Sequence, residues 1–274
     1  MTPPEIRLPD KVRHDLDASR PGLADEFERM LAGHVRPCIA VTASRVSANP
    51  LRRSILAKMV GLKESAPILP PTASKFGGIP YSEEDEDWGK TRFLGQIDLA
   101  EATAILPAGE QRLRGLLRVD IPAGQMARVR WFPEPSLQRA CPVSCESKGS
   151  WEARLQFALS WTLPEGNAFD ALWPLEKLSW LDYNRVEPRG FNEDGFDEFH
   201  RMLGHKSGGL EEHYDFTPAP GCSSKIDDYE CLWRITYDNE SGFAWGTNWV
   251  YVIVPREDLQ RGDLSRVTVT GANS

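Results

Sequence analysis

The side chains in this chain that can do chemistry fall into a few small groups. The segment KFGGIPY holds Lys75, Gly77 and Gly78. Paired glycines let backbone N–H groups approach an anion, with Lys75 as counter-charge. The plainer reading is a turn that needs φ > 0 ahead of Pro80, and that reading is favoured. No GxxxxGK[ST] or GxGxxG pattern occurs, so no standard nucleotide cradle is present. Gln96 and Asp98 lie two apart in FLGQIDL, so they share one face of a strand. Either they point into a cleft, towards a ligand or the Gly-Gly loop, or their face is solvated. Trp245, beside Gly246, adds a ring for stacking. Lys75, Gly77, Gly78, Gln96, Asp98 and Trp245 are therefore the candidate ligand-binding set.

His200, His205 and His213, with Glu211 and Glu212, form the one cluster of histidines with carboxylates. Both residue types serve as metal ligands and general bases. His200 and His205 are five apart, which does not fit HExxH, and structural or surface roles are favoured. The cysteines are Cys38, Cys141, Cys145, Cys222 and Cys231, an odd count that fits reduced thiols. CPVSC is not a CxxC knuckle, so a zinc site is disfavoured, and Cys38 and Cys231 read as small core residues. No GxSxG elbow occurs. No catalytic residue, metal or cofactor is assigned. The acidic run Glu83, Glu84, Asp85, Glu86, Asp87, followed by Trp88, reads as a solvated loop. With Trp249 it also makes a candidate negative, aromatic surface for a basic protein partner.

The elements that must position these groups follow from periodicity. Residues 21–34 place Leu23, Phe27, Met30 and Leu31 on one helical side, after a polar, Pro-rich arm. Helical patterns also cover 50–62, 196–205 and 255–262. Strand patterns cover 38–42, 93–99, 112–120, 126–132, 151–161, 229–238, 248–254 and 264–270. In 151–161, Trp151, Ala153, Leu155, Phe157 and Leu159 alternate with polar residues, the mark of a sheet with one wet face. No regular strand–helix alternation appears, so the expected fold is α+β with mainly antiparallel or mixed sheets and N-terminal helices. FLGQIDLAEA and LWRITYDNES share a pattern that allows two similar lobes but is too short to establish duplication. The expected organisation is an N-terminal helical segment over 1–64 and an α+β domain over 65–274, a division that one continuous domain also satisfies.

Asp and Glu total 40 against 32 Lys and Arg, a formal charge of -8 over 274 residues. Such a chain has no general attraction for phosphate backbones, and nucleic acid is not an expected partner. Arg52, Arg53, Lys58 and Lys63 read as a solvated helix face. No apolar run is long enough to span a bilayer, and the N-terminus lacks an apolar signal region. The expected location is the cytoplasm, with no membrane partner.

Several segments, taken in order, resemble the YwqG-like family of bacterial proteins. They are KFGGIPY, Trp88, FLGQIDLAEA, HRMLGH, LWRITYD and AWGTNWVYVIVPREDLQRGDLSRVTV. The resemblance spans roughly residues 65–270. The chain departs from it at Thr247, at Trp249 and after Leu203–Gly204. The resemblance implies an α+β fold and no settled activity, and some such proteins are suspected immunity proteins against secreted toxins. The expectation is a non-enzymatic binding protein that neutralises a cognate toxin. The alternative is a small-molecule binder, or an uncharacterised enzyme, with a polar cleft around the Gly-Gly turn.

Overall fold

The computed structural model describes residues 5–8, 10–46, 69–84, 86, 88, 91–122, 127–141, 152–164, 200–206, 217–236 and 249–272. Alternation organises the sheet. β6 (Glu152–Thr162) buries Ala153 and Leu155 and leaves Arg154 and Gln156 exposed. It pairs along its whole length with β1 (Arg36–Val46), Arg36 opposite Thr162 and Val46 opposite Glu152. Beyond β6 lie β2 (Lys75–Gly77), β3 (Arg92–Asp98), β4 (Leu116–Ile121) and β5 (Arg128–Phe132). Beyond β1 lie β7 (His200–Met202), β8 (Tyr229–Ile235), β9 (Trp249–Pro255) and β10 (Thr268–Ala272). All pairings among the described strands are antiparallel. The terminal strands β5 and β10 come alongside each other, so the ten-stranded sheet curls into a nearly closed barrel. β1, within the stretch 1–64, is a central strand of this sheet.

One apolar cluster fills the inside, with Ile39, Phe76, Ile97, Leu117, Leu155 and Val252 contributed by six different strands. A second forms under α1 (Asp10–Ser19) and α2 (Leu23–Ala32), where Val12, Leu16, Phe27 and Leu31 pack with Leu163. α1 lies in the stretch read as a loose arm: Val12 and Leu16, one turn apart, are both fully buried. α3 (Leu99–Thr103) follows β3 directly, and Asp98 caps it by accepting from the N–H groups of Ala100 and Glu101 at 2.9 and 3.2 Å. α4 (Arg256–Arg261) follows Pro255 and stops at Gly262.

These observations correct the expected α+β class. The fold is sheet-dominated, and the four described helices run only 10, 10, 5 and 6 residues. α3 and α4 do no more than turn the chain at strand ends. Two separate lobes are also not what forms, because all ten described strands belong to one continuous sheet, in which β3 and β8 stand third from opposite ends. The helix read over 196–205 is corrected for its described part. His200–Met202 is a strand, with His200 opposite Val41 and Met202 opposite Trp233, and the buried pair His200 and Met202 follows period 2 rather than 3.6. The helical pattern over 50–62 lies outside the described residues. No described helix is long and apolar enough to cross a membrane.

Leu16→Ala leaves a cavity in the helical cluster and is expected to cost about 2–5 kcal/mol. The urea midpoint, with sheet content followed by circular dichroism, checks it.

Candidate functional site

On the outer face of β6, β2, β3, β4 and β5 the register lines up five polar residues. Arg154 stands opposite Lys75, Lys75 opposite Gln96, Gln96 opposite Arg118, and Arg118 opposite Arg130. An ordinary wet face would leave these groups in water. Here Lys75, Gln96 and Arg118 are fully buried, because the segments before β2 and between β2 and β3 fold back over them.

Each buried group is then obliged to find partners in those segments. The Lys75 ammonium donates to Glu152 at 3.2 Å and to the Pro70 carbonyl at 3.2 Å. Burial pushes this ammonium down, while the charge and hydrogen bond of Glu152 pull it back up. The second Glu152 oxygen accepts from the Leu69 N–H at 3.1 Å. Gly78, at φ 71°, gives Glu152 its space: a Cβ there would lie 2.0 Å from the carboxylate. The Gln96 carboxamide accepts from the Tyr81 N–H at 2.9 Å and donates to the carbonyls of Pro71 and Ala73. It thereby ties both covering segments to the sheet.

Arg118 donates to the Tyr81 carbonyl, to Glu86 at 2.8 Å and to Asp120 at 3.1 Å. Its guanidinium lies 4.8 Å from the Trp88 ring centre and 5.3 Å from that of Phe132, close enough for cation–π attraction. Arg130 reaches the other Glu86 oxygen at 3.0 Å. Burial pushes the Glu86 carboxyl up, but hydrogen bonds from Arg118 and Ser82 and the two guanidinium charges outweigh it and hold it below its ordinary value. At Asp120 burial outweighs the pull of Arg118 and Arg128 and holds the carboxyl above its ordinary value.

Lys75, Gly77, Gly78 and Gln96 are thus gathered in one place, but around a packed polar network rather than a hollow. Asp98 faces α3 as its cap. Trp245, Asp85 and Asp87 lie outside the described residues. In the acidic run, Glu86 is turned inward onto Arg118 and Trp88 is only 3% exposed, while Glu84 remains exposed and Glu83 accepts from the Tyr81 hydroxyl. Trp249 opens β9. The described cysteines, Cys38, Cys141, Cys222 and Cys231, are free thiols, and Cys38 and Cys231 are buried in β1 and β8. His200 is buried in the barrel, its ring 4.7 Å from Phe76 and its Nδ1 accepting from the Thr236 N–H. His205 lies in the turn after β7 and meets the His34 carbonyl through Nε2, so the two histidines do not converge. His213, Glu211, Glu212 and Cys145 lie outside the described residues.

A concavity among the described residues lies elsewhere, at the end of the barrel where β1 and β8 begin and β6, β7 and β9 finish. It measures about 720 Å³. Arg36, the segment Glu110–Leu113, Pro164, the turn Leu203–Lys206, Glu230 and α4 wall it. The turn is built under strain. Leu203 is the one described non-glycine residue with positive φ, at 60°, a region a bulky side chain enters at a cost of about 1–2 kcal/mol. Gly204 follows at φ 83°, and a Cβ there would meet Thr162 Oγ1 at 2.6 Å and Cys38 Cβ at 2.8 Å. Three contacts to His205 hold the turn: its N–H donates to Thr162 Oγ1 at 2.9 Å, its carbonyl accepts from Arg201 at 3.3 Å, and its ring meets the His34 carbonyl. Sequence reading singled out HRMLGH but not this cleft. The positive φ at Leu203 has no sequence signal, and the walls come from separate parts of the chain.

Two outcomes are expected for the buried network. Glu152→Ala strands a buried ammonium and should cost about 3–5 kcal/mol, whereas the double change Lys75→Met with Glu152→Leu should cost far less, both read from denaturant midpoints. Glu86 is depressed in the folded state, so its stabilisation is present above its ordinary value of 4.5 and fades as pH falls through and below it. The stability gap between the natural chain and Glu86→Gln should therefore shrink on acidification. A gap that stays constant with pH would remove Glu86 as the titrating partner.

Comparison with known proteins adds a family without a function. A family model described as a domain of unknown function (DUF1963) matches residues 74–271, which takes in β2 to β9 and all but the last residue of β10, the side chains of the buried network and most of the cleft wall. No curated protein is found to match the chain. With most of its length so matched, the chain belongs to the DUF1963 family of domains of unknown function.

Proposed function

We propose that this chain is a binding protein whose small-molecule ligand seats in the cleft at the barrel end. The observation that carries this reading is the strained turn Leu203–Gly204 forming one wall of a cleft of about 720 Å³. Unfavourable backbone held in place by several contacts is a feature of ligand sites, and cavities of ~300–1,000 Å³ suit small organic molecules. The reading moves the polar cleft away from the Gly-Gly turn, where Glu152 occupies the space that Gly78 leaves. Within the family, we place the chain in the YwqG-like group on the strength of its ordered motifs.

A fragment cocktail followed by amide chemical-shift mapping tests the site without assuming a ligand class. Shifts should concentrate on Leu203–Lys206 and on α4. Shifts centred on the acidic loop, or none at all, would remove this reading and favour a surface that binds a protein.

A further inference from the structure

We infer that the cleft recognises a short peptide by its free ammonium and carboxylate ends; this rests on the cleft being the binding site. The walls and rim carry Arg36, Lys206 and Arg256 against Glu110 and Glu230. Two of those cations are already committed. Arg256 donates from Nε to Glu230 at 2.7 Å and from a terminal nitrogen to the Asp227 carbonyl at 2.8 Å. The Lys206 ammonium donates to the Ile226 carbonyl at 3.0 Å and stands 3.8 Å from Asp227. What is left open is one cation and one anion, Arg36 at the start of β1 and Glu110 in the segment before β4. Both are exposed, and neither side chain has an ion-pair or hydrogen-bond partner among the described residues, nor do the two pair with each other.

Opposite charges held apart on different elements of one cleft select by sign at both. A simple anion at Arg36 shares the cleft with Glu110, a simple cation at Glu110 shares it with Arg36, and each is repelled by the charge that it does not engage. A ligand that carries both an ammonium and a carboxylate answers both side chains. The guanidinium takes a carboxylate through two parallel N–H donors, and Glu110 takes an ammonium by charge-assisted hydrogen bonds. Two carboxamides, Gln111 and Gln260, also line the cleft, and neither side chain has a hydrogen-bond partner among the described residues. Gln111 Nε2 lies against Gly262, where an added Cβ would stand 3.4 Å from it, which brings it beside the end of α4 that carries Gln260. Each carboxamide offers a donor and an acceptor, the complement of the C=O and N–H of a peptide group. A cleft of about 720 Å³ is more than a single amino acid fills, so these amides favour a ligand with peptide bonds between its charged ends.

Trialanine is the probe, titrated calorimetrically into the intact chain at neutral pH and low ionic strength, where exposed charges are least screened. It should bind, and capping either end, as N-acetyl-trialanine or as trialanine amide, should weaken binding at least roughly fivefold (about 1 kcal/mol). Glu110→Gln should weaken trialanine by a similar factor and abolish the discrimination against the acetyl cap. Arg36→Gln should do the same for the amide cap. Both positions are exposed, so both variants should fold, which thermal unfolding checks. No binding of trialanine, equal binding of the three peptides, or discrimination that survives both substitutions would overturn the peptide class, while fragment mapping on Leu203–Lys206 decides the cleft separately. Trialanine binding with amide shifts away from that turn and from α4 would overturn the cleft as the site.

Discussion

Two cations sit on the outside of this barrel and yet out of water, and most of the local architecture follows from that fact. Lys75 and Arg118 are fully buried, and a buried charge without partners costs several kcal/mol. The covering segments supply those partners: Glu86 and the carbonyls of Pro70 and Tyr81. Glu152 and Asp120 supply the rest from the sheet. Gln96 joins the two coverings by serving both from one carboxamide. The loops on this face are thus held by obligation, since none can lift without stranding a charge.

The barrel end is organised on a different principle. There the described strands stop, and the turn after β7 is locked into a backbone that its sequence disfavours. Thr162, Arg201 and His34 each hold His205, so the turn's shape is specified from β6, β7 and the end of the helical layer together. A wall fixed from three directions is preorganised.

Much of the sheet was legible from period-2 alternation, and β3, β4, β6, β8 and β9 fall where their apolar patterns placed them. The class was not, because helical spacing around Met202 and Leu203 and several Pro- and Gly-punctuated segments gave helices more weight than they carry. β7 is only three residues long, and its identity comes from the partners on either side rather than from its own pattern. Gln96 and Asp98 were legible as a polar pair on a strand of apolar neighbours, yet what they touch was not. Gln96 meets two loop segments, and Asp98 turns to the helix that follows it. The acidic run read as one patch, but Glu86 is divided from its neighbours by Arg118, which lies 32 residues along the chain and so left no local mark.

The strand order also governs how this molecule comes to be made. β2 to β5 and β7 to β10 are each built largely from neighbours in the chain, and can zip locally. The two longest strands, β1 and β6, join those halves, and they meet only when Val46 finds Glu152 across everything translated in between. Closing so large a loop precedes any reward from the central pairing, which places this chain among slow folders governed by contact order. Until that seam forms, the flanking halves expose unpaired edges, and the chain is most vulnerable to association with other copies of itself during synthesis.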